Sequence, residues 1–348
     1  MRKLLNVLYI TNPEAYLARE GENVVVRVED EVKFRVPIHN LEGIVCFGYP
    51  GASPALLGLC AERGVAMSFV TGSGKFLARV TGPVSGNVLL RRRQYRVADE
   101  AGEAPGSLAA GVARNFIFGK IFNCRCVLRR FLRDHGALAD MAAIEESERR
   151  LSAHLAKVEY CGELGALRGI EGDAARDYYG AFDHLILDQK EAFRFTGRSR
   201  RPPLDRVNAV LSFLYTLLAH DCAAALETVG LDPQVGFLHR ERPGRPSLAL
   251  DLMEELRPYL ADRLALSLIN NRQLSPGGFE VKEPGGVLLN EELRKTVITA
   301  WQKRKQEEIA HPFLQEKIAV GLIPYAQALL LARFLRGDLD GYPPFLMK

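Results

Sequence analysis

Apolar side chains in roughly the first ninety positions come in short runs separated by turn formers. Residues 4–11, 23–29 and 32–38 are rich in Val, Ile, Leu and Tyr, which suit a pleated, half-buried surface. The last two runs are joined across Glu29-Asp30-Glu31, a spacing that predicts a hairpin. Residues 43–47, 66–70 and 76–81 continue the pattern between Gly and Pro turns, and 52–63 is the one helical stretch among them. A small sheet or sandwich follows.

Residues 98–107 are acidic, contain Gly and Pro, and lack periodicity, which predicts a linker. Beyond it the spacing predicts helices over 108–135, 137–164, 174–182, 204–229, 247–271, 290–306 and 312–336. In the first of these Val112, Phe116, Ile117, Ile121, Val127, Leu128 and Phe131 recur at helical spacing. No internal repeat or low-complexity tract interrupts the pattern. The expected fold class is α+β multidomain. A small N-terminal β-sheet or sandwich domain (1–97) precedes the linker (98–107) and a larger all-α C-terminal domain (108–348).

Composition changes this picture little. With 47% hydrophobic and 25% charged residues among 348, the chain reads as a folded protein rather than a disordered or fibrous one. No apolar run approaches the roughly 18–20 residues that cross a bilayer. Arg2-Lys3 and the apolar residues after it imitate a leader, but Asn6 interrupts them and no small-residue cleavage site follows, so a first strand is expected there. Six cysteines are scattered along the chain, which predicts reduced thiols in a cytoplasm. Cys124-Arg125-Cys126 lacks a second pair at zinc spacing. A formal charge of +4 is too small to prove a nucleic-acid partner, so charge distribution must decide.

Four residues in the helical half sit in unusual surroundings. Glu171 lies in Arg168-Gly169-Ile170-Glu171-Gly172, where small neighbours leave space around the carboxylate. His239 ends the apolar approach Gly236-Phe237-Leu238. Asp251 and Glu254, in Ser247-Leu248-Ala249-Leu250-Asp251-Leu252-Met253-Glu254-Glu255-Leu256-Arg257-Pro258, are three apart and share a helix face among aliphatic neighbours. Burying carboxylates is costly unless cations or donors compensate. A divalent metal compensates well, and hard oxygens with one imidazole favour Mn²⁺ or Mg²⁺ over zinc. Such an ion suits phosphoryl transfer. Taken singly, each carboxylate is also readable as an ion-pair or capping partner and the histidine as a core imidazole.

These three segments, in this order, closely resemble the CRISPR-associated adaptation integrase, the universal endonuclease-integrase of spacer acquisition. The resemblance spans nearly the whole chain. Gly86-Asn87-Val88-Leu89-Leu90-Arg91-Arg92-Arg93-Gln94-Tyr95 is similar to the family's domain-junction motif, and Lys120-Ile121-Phe122-Asn123 to its first-helix motif. Tyr342-Pro343-Pro344-Phe345 resembles the end of type I-C members. The resemblance implies a homodimer formed through the β domains, assembled with a small adaptation partner around a double-stranded prespacer, with a cytoplasmic role in a prokaryote. An iron–sulfur prespacer-processing nuclease is a further expected partner. It implies metal ligands at Glu171, His239 and Glu254, with Asp251 as an added acidic site residue. Many relatives carry Asp where this chain has Glu254, so the longer side chain shifts where an ion would sit. The implied reaction is attack of a prespacer 3′-hydroxyl on a phosphodiester at the CRISPR repeat boundary, with hydrolysis of branched DNA as the related nuclease activity.

Arginines supply the expected DNA contacts. Arg194, Arg198, Arg200 and Arg201 share a Gly/Pro-interrupted loop with Phe193 and Phe195, which could stack on bases, and Arg240, Arg242 and Arg245 follow His239. Tyr16 is a candidate for stacking at a duplex end. Two other functions stay open, a structure-specific repair nuclease on branched DNA and a non-catalytic DNA-binding scaffold. A di-iron oxidoreductase would need two Glu-x-x-His pairs, and only Glu308-Ile309-Ala310-His311 is present.

Overall fold

A computed structural model describes residues 6–72, 76–80, 82, 87–100, 106–136, 141–283 and 285–347. The chain divides into two units, Met1–Gly86 and Asn87–Lys348.

The first unit carries β1 (Val7–Ile10), β2 (Tyr16–Glu20), β3 (Asn23–Val28), β4 (Glu31–Pro37), β5 (Gly43–Phe47), β6 (Gly51–Ala52), α1 (Pro54–Arg63), β7 (Ala66–Val70) and β8 (Phe76–Val80). One sheet runs β1-β5-β7-β8 and the other β4-β3-β2-β6. The hairpin expected around Glu29-Asp30 forms between β3 and β4, with Val28 opposite Glu31. Glu29 and Asp30 both take positive φ (52° and 64°), the two-residue turn whose twist matches that of paired strands. β5 is parallel to both neighbours and buried at every position, so it reads as a continuous apolar run. Ser53 caps α1 by accepting from the Leu56 N–H, Pro54 opens the helix, and Gly64 closes it at φ 66°. Leu17 and Val24 of one sheet, Ile44 and Met67 of the other, and Leu56 of α1 form one buried core.

The second unit begins with α2 (Val88–Asp99), a stretch the sequence pattern assigned to the β half. Asn87 caps it, accepting from the Leu89 and Leu90 N–H groups, and Leu90, Gln94 and Val97 bury one face. The division therefore falls after Gly86 rather than at residue 97. Three successive arginines hide the helical period here. Of the expected linker, residues 101–105 lie outside the described residues. Then come α3 (Leu108–His135), α4 (Ala142–Tyr160), α5 (Leu164–Ala181), α6 (Arg206–Thr228), α7 (Ser247–Arg257) and α8 (Arg263–Asn270). A hairpin of β9 (Phe279–Lys282) and β10 (Gly286–Leu289) precedes α9 (Glu291–Gln306), and a second, β11 (Glu308–Ala310) with β12 (Lys317–Ala319), precedes α10 (Ile323–Arg336). The larger unit is thus mostly helical but carries two small hairpins, one in place of the start expected for the last helix. α7 and α8 are joined by a π-helical turn, Pro258–Asp262, where proline removes a backbone donor. Among the described residues α6 alone is long and apolar enough to cross a membrane, contrary to the sequence expectation. Most of that apolar window is buried in the unit's interior.

Candidate active site

α7 organises the site. Asp251 is fully buried and accepts three backbone N–H groups, from Phe237 (2.7 Å), Leu238 (2.9 Å) and His239 (2.9 Å). Its Oδ1 also stands 2.6 Å from His239 Nδ1. A carboxylate that accepts from Nδ1 leaves Nε2 as the ring's free lone pair. Gly236 is required beside it. A Cβ there would stand 2.8 Å from Asp251 Oδ2 and 2.9 Å from the Ser247 backbone. Gln94 of α2 fastens the approach to this loop, donating to the carbonyls of Asp232 and Val235 at 2.8 Å each and accepting from the Asp232 N–H.

One turn along α7, Glu254 is 2% exposed. Its Oε1 lies 3.1 Å from Arg257 Nη1 and 3.8 Å from His239 Nε2. Its Oε2 faces Lys120 Nζ at 2.7 Å yet receives no aligned hydrogen bond. Lys120, on α3, also donates to Glu171 on α5. A buried ammonium thus bridges two carboxylates. Burial pushes the Glu254 carboxyl up, but Arg257, Lys120 and His239 outweigh it and hold it at about 2. Burial disfavours the Lys120 ammonium, and Glu254 and Glu171 reverse that, raising its affinity for the proton.

Glu171 sits mid-helix because α5 starts at Leu164, ten residues earlier than the sequence pattern predicts. Gly165, Gly169 and Gly172 masked the period. A Cβ at Gly169 or Gly172 would meet nothing, so the space expected around Glu171 is present. The structure therefore brings Glu171, His239, Asp251 and Glu254 into one constellation. Asp251 is committed to amides and imidazole, and among the described residues no three His, Cys, Asp or Glu side chains are already gathered as a metal cage. Lys120 and Arg257 were missed as site residues. Lys120 had a signal, since helical spacing from Phe116, Asn123 and Cys124 puts it on the buried face of α3.

Arginines from three segments surround this constellation. Arg168 donates through Nε to the Leu238 carbonyl at 2.8 Å, and its guanidinium is destabilised by burial and by Arg240. The Arg245 guanidinium is likewise disfavoured by burial and then by Arg242, Arg201 and Arg200, so the two arginine loops converge. Arg200, Arg201, Arg240 and Arg242 are exposed to differing degrees, as is Arg194. Arg198 instead turns inward, donating to Asn208 Oδ1 (2.6 Å) and Ser212 Oγ (3.1 Å) and covering the Tyr215 ring. Its guanidinium is committed to the fold. Phe193 and Phe195, expected as base-stacking groups, are buried against Phe279 and Phe182, because alternate apolar positions in that loop face the core. In the first unit Tyr16 is 46% exposed, its ring packed so closely on Gly51 that a Cβ there would stand 2.6 Å away.

The family model described as "CRISPR associated protein Cas1" matches residues 8–303. A "CRISPR-associated endonuclease Cas1 1" of Chlorobaculum tepidum is 51% identical over 348 residues, covering 100% of both chains. Among solved structures, a casposase bound to integration product is similar with a TM-score of 0.83 at 21% identity, over 99% of this chain and 95% of that one. A Cas6-RT-Cas1–Cas2 complex is also similar, with a TM-score of 0.83 at 21% identity, over 100% of this chain and 37% of its matched chain.

Proposed function

The chain belongs to the CRISPR-associated Cas1 family, and we propose that it is a metal-dependent endonuclease-integrase that joins prespacer DNA to a CRISPR repeat by transesterification. The observation that carries this reading is the Asp251-oriented His239 facing a charged Glu254, ringed by arginines from three segments. A repair nuclease would use the same chemistry, whereas a DNA-binding scaffold would have no use for a carboxylate held charged at full burial.

The residues present fit a divalent cation. Glu254 Oε2 is a buried carboxylate oxygen without an aligned donor, and the donor set is hard oxygen plus neutral imidazole. Glu171, His239 and Glu254 would hold Mg²⁺ or Mn²⁺, which supplies polarisation of the phosphate and stabilisation of the charge that builds on it. Asp251 positions His239, and Lys120 neutralises the carboxylates and holds them together. Arg168, Arg240, Arg242 and Arg245 would fix the phosphates on either side of the reacting one. The incoming strand's 3′-oxygen bonds to phosphorus while the P–O3′ bond of the repeat strand breaks. The proton lost by the attacking hydroxyl is balanced by the one gained by the departing oxygen, so no ATP is needed. With water as attacker the same site hydrolyses DNA.

Duplex DNA and the small adaptation partner are the proposed partners, consistent with a structural neighbour being a Cas1–Cas2 complex. The processing nuclease is a further proposed partner, and the prokaryotic cytoplasm the place of action. Pairing of two copies through the first unit is favoured by the edge strand β4, where Val32 and Phe34 are each 49% exposed. The test is strand transfer from a 3′-hydroxyl duplex into a supercoiled repeat plasmid with the small partner added. Product that appears with Mn²⁺ and disappears in excess EDTA is expected. Equal product in EDTA would sink the metal reading, and no product with ion and partner would sink the integrase reading.

A further inference from the structure

Between α8 and α9 the second unit carries a cavity of about 620 Å³. Its cations are Arg263, Lys295, Lys303 and Arg304, set against Glu292 and Glu307, with hydroxyls from Ser267, Thr296 and Thr299. Two of the cations are poorly satisfied. Arg263 has no hydrogen bond or close ion pair among the described residues; it packs on the Tyr259 ring, whose centre is 5.2 Å from its guanidinium carbon, and is attracted by Glu307 at longer range. Arg304 packs on the same ring at 4.7 Å. Its Nη1 is taken by Glu307, while its Nη2 is buried with no partner. Burial, then Arg304 and Arg130, destabilise the Arg263 guanidinium and bring its pKa down to about 10, so it stays charged at neutral pH. Glu307 thus serves Arg304 directly and Arg263 only at longer range, so Arg263 is a cation of this cavity without a hydrogen-bonded anion.

We propose that this cavity is a second phosphate-binding site, separate from the constellation around His239 and taking the phosphate of a nucleotide. None of its lining residues belongs to that constellation. The Arg263 guanidinium and the Lys303 ammonium with nearby hydroxyls match a phosphate's oxygens better than one carboxylate, and the volume accommodates a nucleotide. Tyr259 is covered by the two arginines and only 9% exposed, leaving no ring face for a base, so the site reads phosphate without sequence preference. Glu254 and Arg263 are nine positions apart, with the π-helical turn Pro258–Asp262 between them. The phosphate source is a free nucleotide or a DNA strand, and the latter rests on the DNA reading above.

The experiment is calorimetric titration in EDTA of thymidine 5′-monophosphate, and separately of a short single-stranded oligonucleotide, into wild type, Arg263→Gln, Lys303→Gln and Glu171→Gln. Glu171→Gln should bind as wild type does, since the site is separate, even where strand transfer is lost. Arg263→Gln should weaken binding at least tenfold. Lys303→Gln, an exposed rim change that spares the fold, should weaken it severalfold. For the oligonucleotide each should also reduce the salt slope by about 0.7 for every phosphate left without its cation. Binding of the monophosphate assigns a free nucleotide, and binding of the oligonucleotide alone assigns a strand. Unchanged binding of both ligands in both cavity variants, or no binding of either to wild type, overturns the site and leaves the catalytic reading untouched.

Discussion

Replacing Lys120 by Met keeps the length and apolar stem of the side chain and removes the ammonium between Glu171 and Glu254. The side chains of Lys120 and Glu254 are 6% and 3% exposed, and that of Glu171 is 26% exposed. Deleting one partner of a buried ion pair costs about 3–5 kcal/mol, because the charge left behind is uncompensated. Glu171 retains some water, and Glu254 keeps Arg257 at 3.1 Å, so the lower end applies, about 3 kcal/mol. At about 2–4 °C per kcal/mol for a domain close to the second unit in size, the metal-free variant should melt about 6–12 °C below wild type. Adding Mn²⁺ should then recover more in the variant than in wild type. In the variant the ion takes the ammonium's place between the two carboxylates, whereas in wild type it competes with the ammonium. Differential scanning calorimetry with and without Mn²⁺ reads both quantities. An undiminished melting temperature in EDTA would refute the ion-pair geometry. Equal Mn²⁺ increments in the two proteins would refute the claim that ammonium and metal serve the same carboxylates.

Three further outcomes follow from the same structure. Asp262 is fully buried, accepting from Tyr215 Oη (2.6 Å) and Tyr178 Oη (3.2 Å), and burial, only partly offset by those bonds, raises its pKa from 3.8 to about 6. A carboxyl raised on folding contributes stability at low pH that is lost as pH climbs from about 4 through 6, about 3 kcal/mol at ~1.4 kcal/mol per pH unit. The stability difference between wild type and Asp262→Asn should therefore move against wild type across that window and be flat above it; parallel profiles would refute the assignment. Arg200→Ala/Arg201→Ala should reduce the salt slope of duplex binding by about 2 if each arginine neutralises one phosphate, and an unchanged slope would place the loop away from DNA. His239→Ala should lower strand transfer by orders of magnitude at a temperature where the variant is folded, with DNA affinity largely kept, while wild-type turnover would remove His239 from the site.

Local pattern was enough where burial and period agree. The hairpin around Glu29-Asp30, the buried strand at 43–47 and the 28-residue helix α3 are legible because one face is apolar throughout. Legibility failed where function or close packing interrupts that face. α5 lost its start to Gly165, Gly169 and Gly172, and α2 to its arginines. Within the site, the acids and His239 stood out as polar groups in apolar surroundings, but their division of labour did not. That Asp251 is consumed by three amides and an imidazole depends on a loop folding back over α7, and Arg198 turning inward depends on Asn208 and Ser212 ten and fourteen residues away. Contacts of that kind are set by tertiary geometry, which no local window contains.

α7 shows why residue type alone could not assign these roles. Its three acids are all almost completely buried, yet each meets a different environment. Asp251 meets backbone donors and one imidazole, so it orients. Glu254 meets Lys120 and Arg257 as well as His239, and the two cations above all overcome burial and hold it at about 2. Glu255, one residue on and turned about 100° round the helix, meets only neutral donors: Tyr342 Oη at 2.5 Å, Gln327 Nε2 at 2.9 Å and the Phe345 N–H at 2.9 Å. Burial there outweighs the hydrogen bonds and raises it to about 7. Three neutral hydrogen bonds stabilise the charge only in part at this burial, whereas full cations keep it in place. The difference follows from the 3.6-residue period, which turns adjacent side chains about 100° apart. Glu254 thereby faces the cations of α3 and its own last turn, while Glu255 faces the C-terminal segment, which is anchored to α3 through Asn123 and the carbonyl and N–H of Phe345 and Met347. One helix thus presents a charged carboxylate to Lys120 and Arg257 and a near-neutral one to the C-terminal segment, which Tyr342 and Phe345 fasten to it.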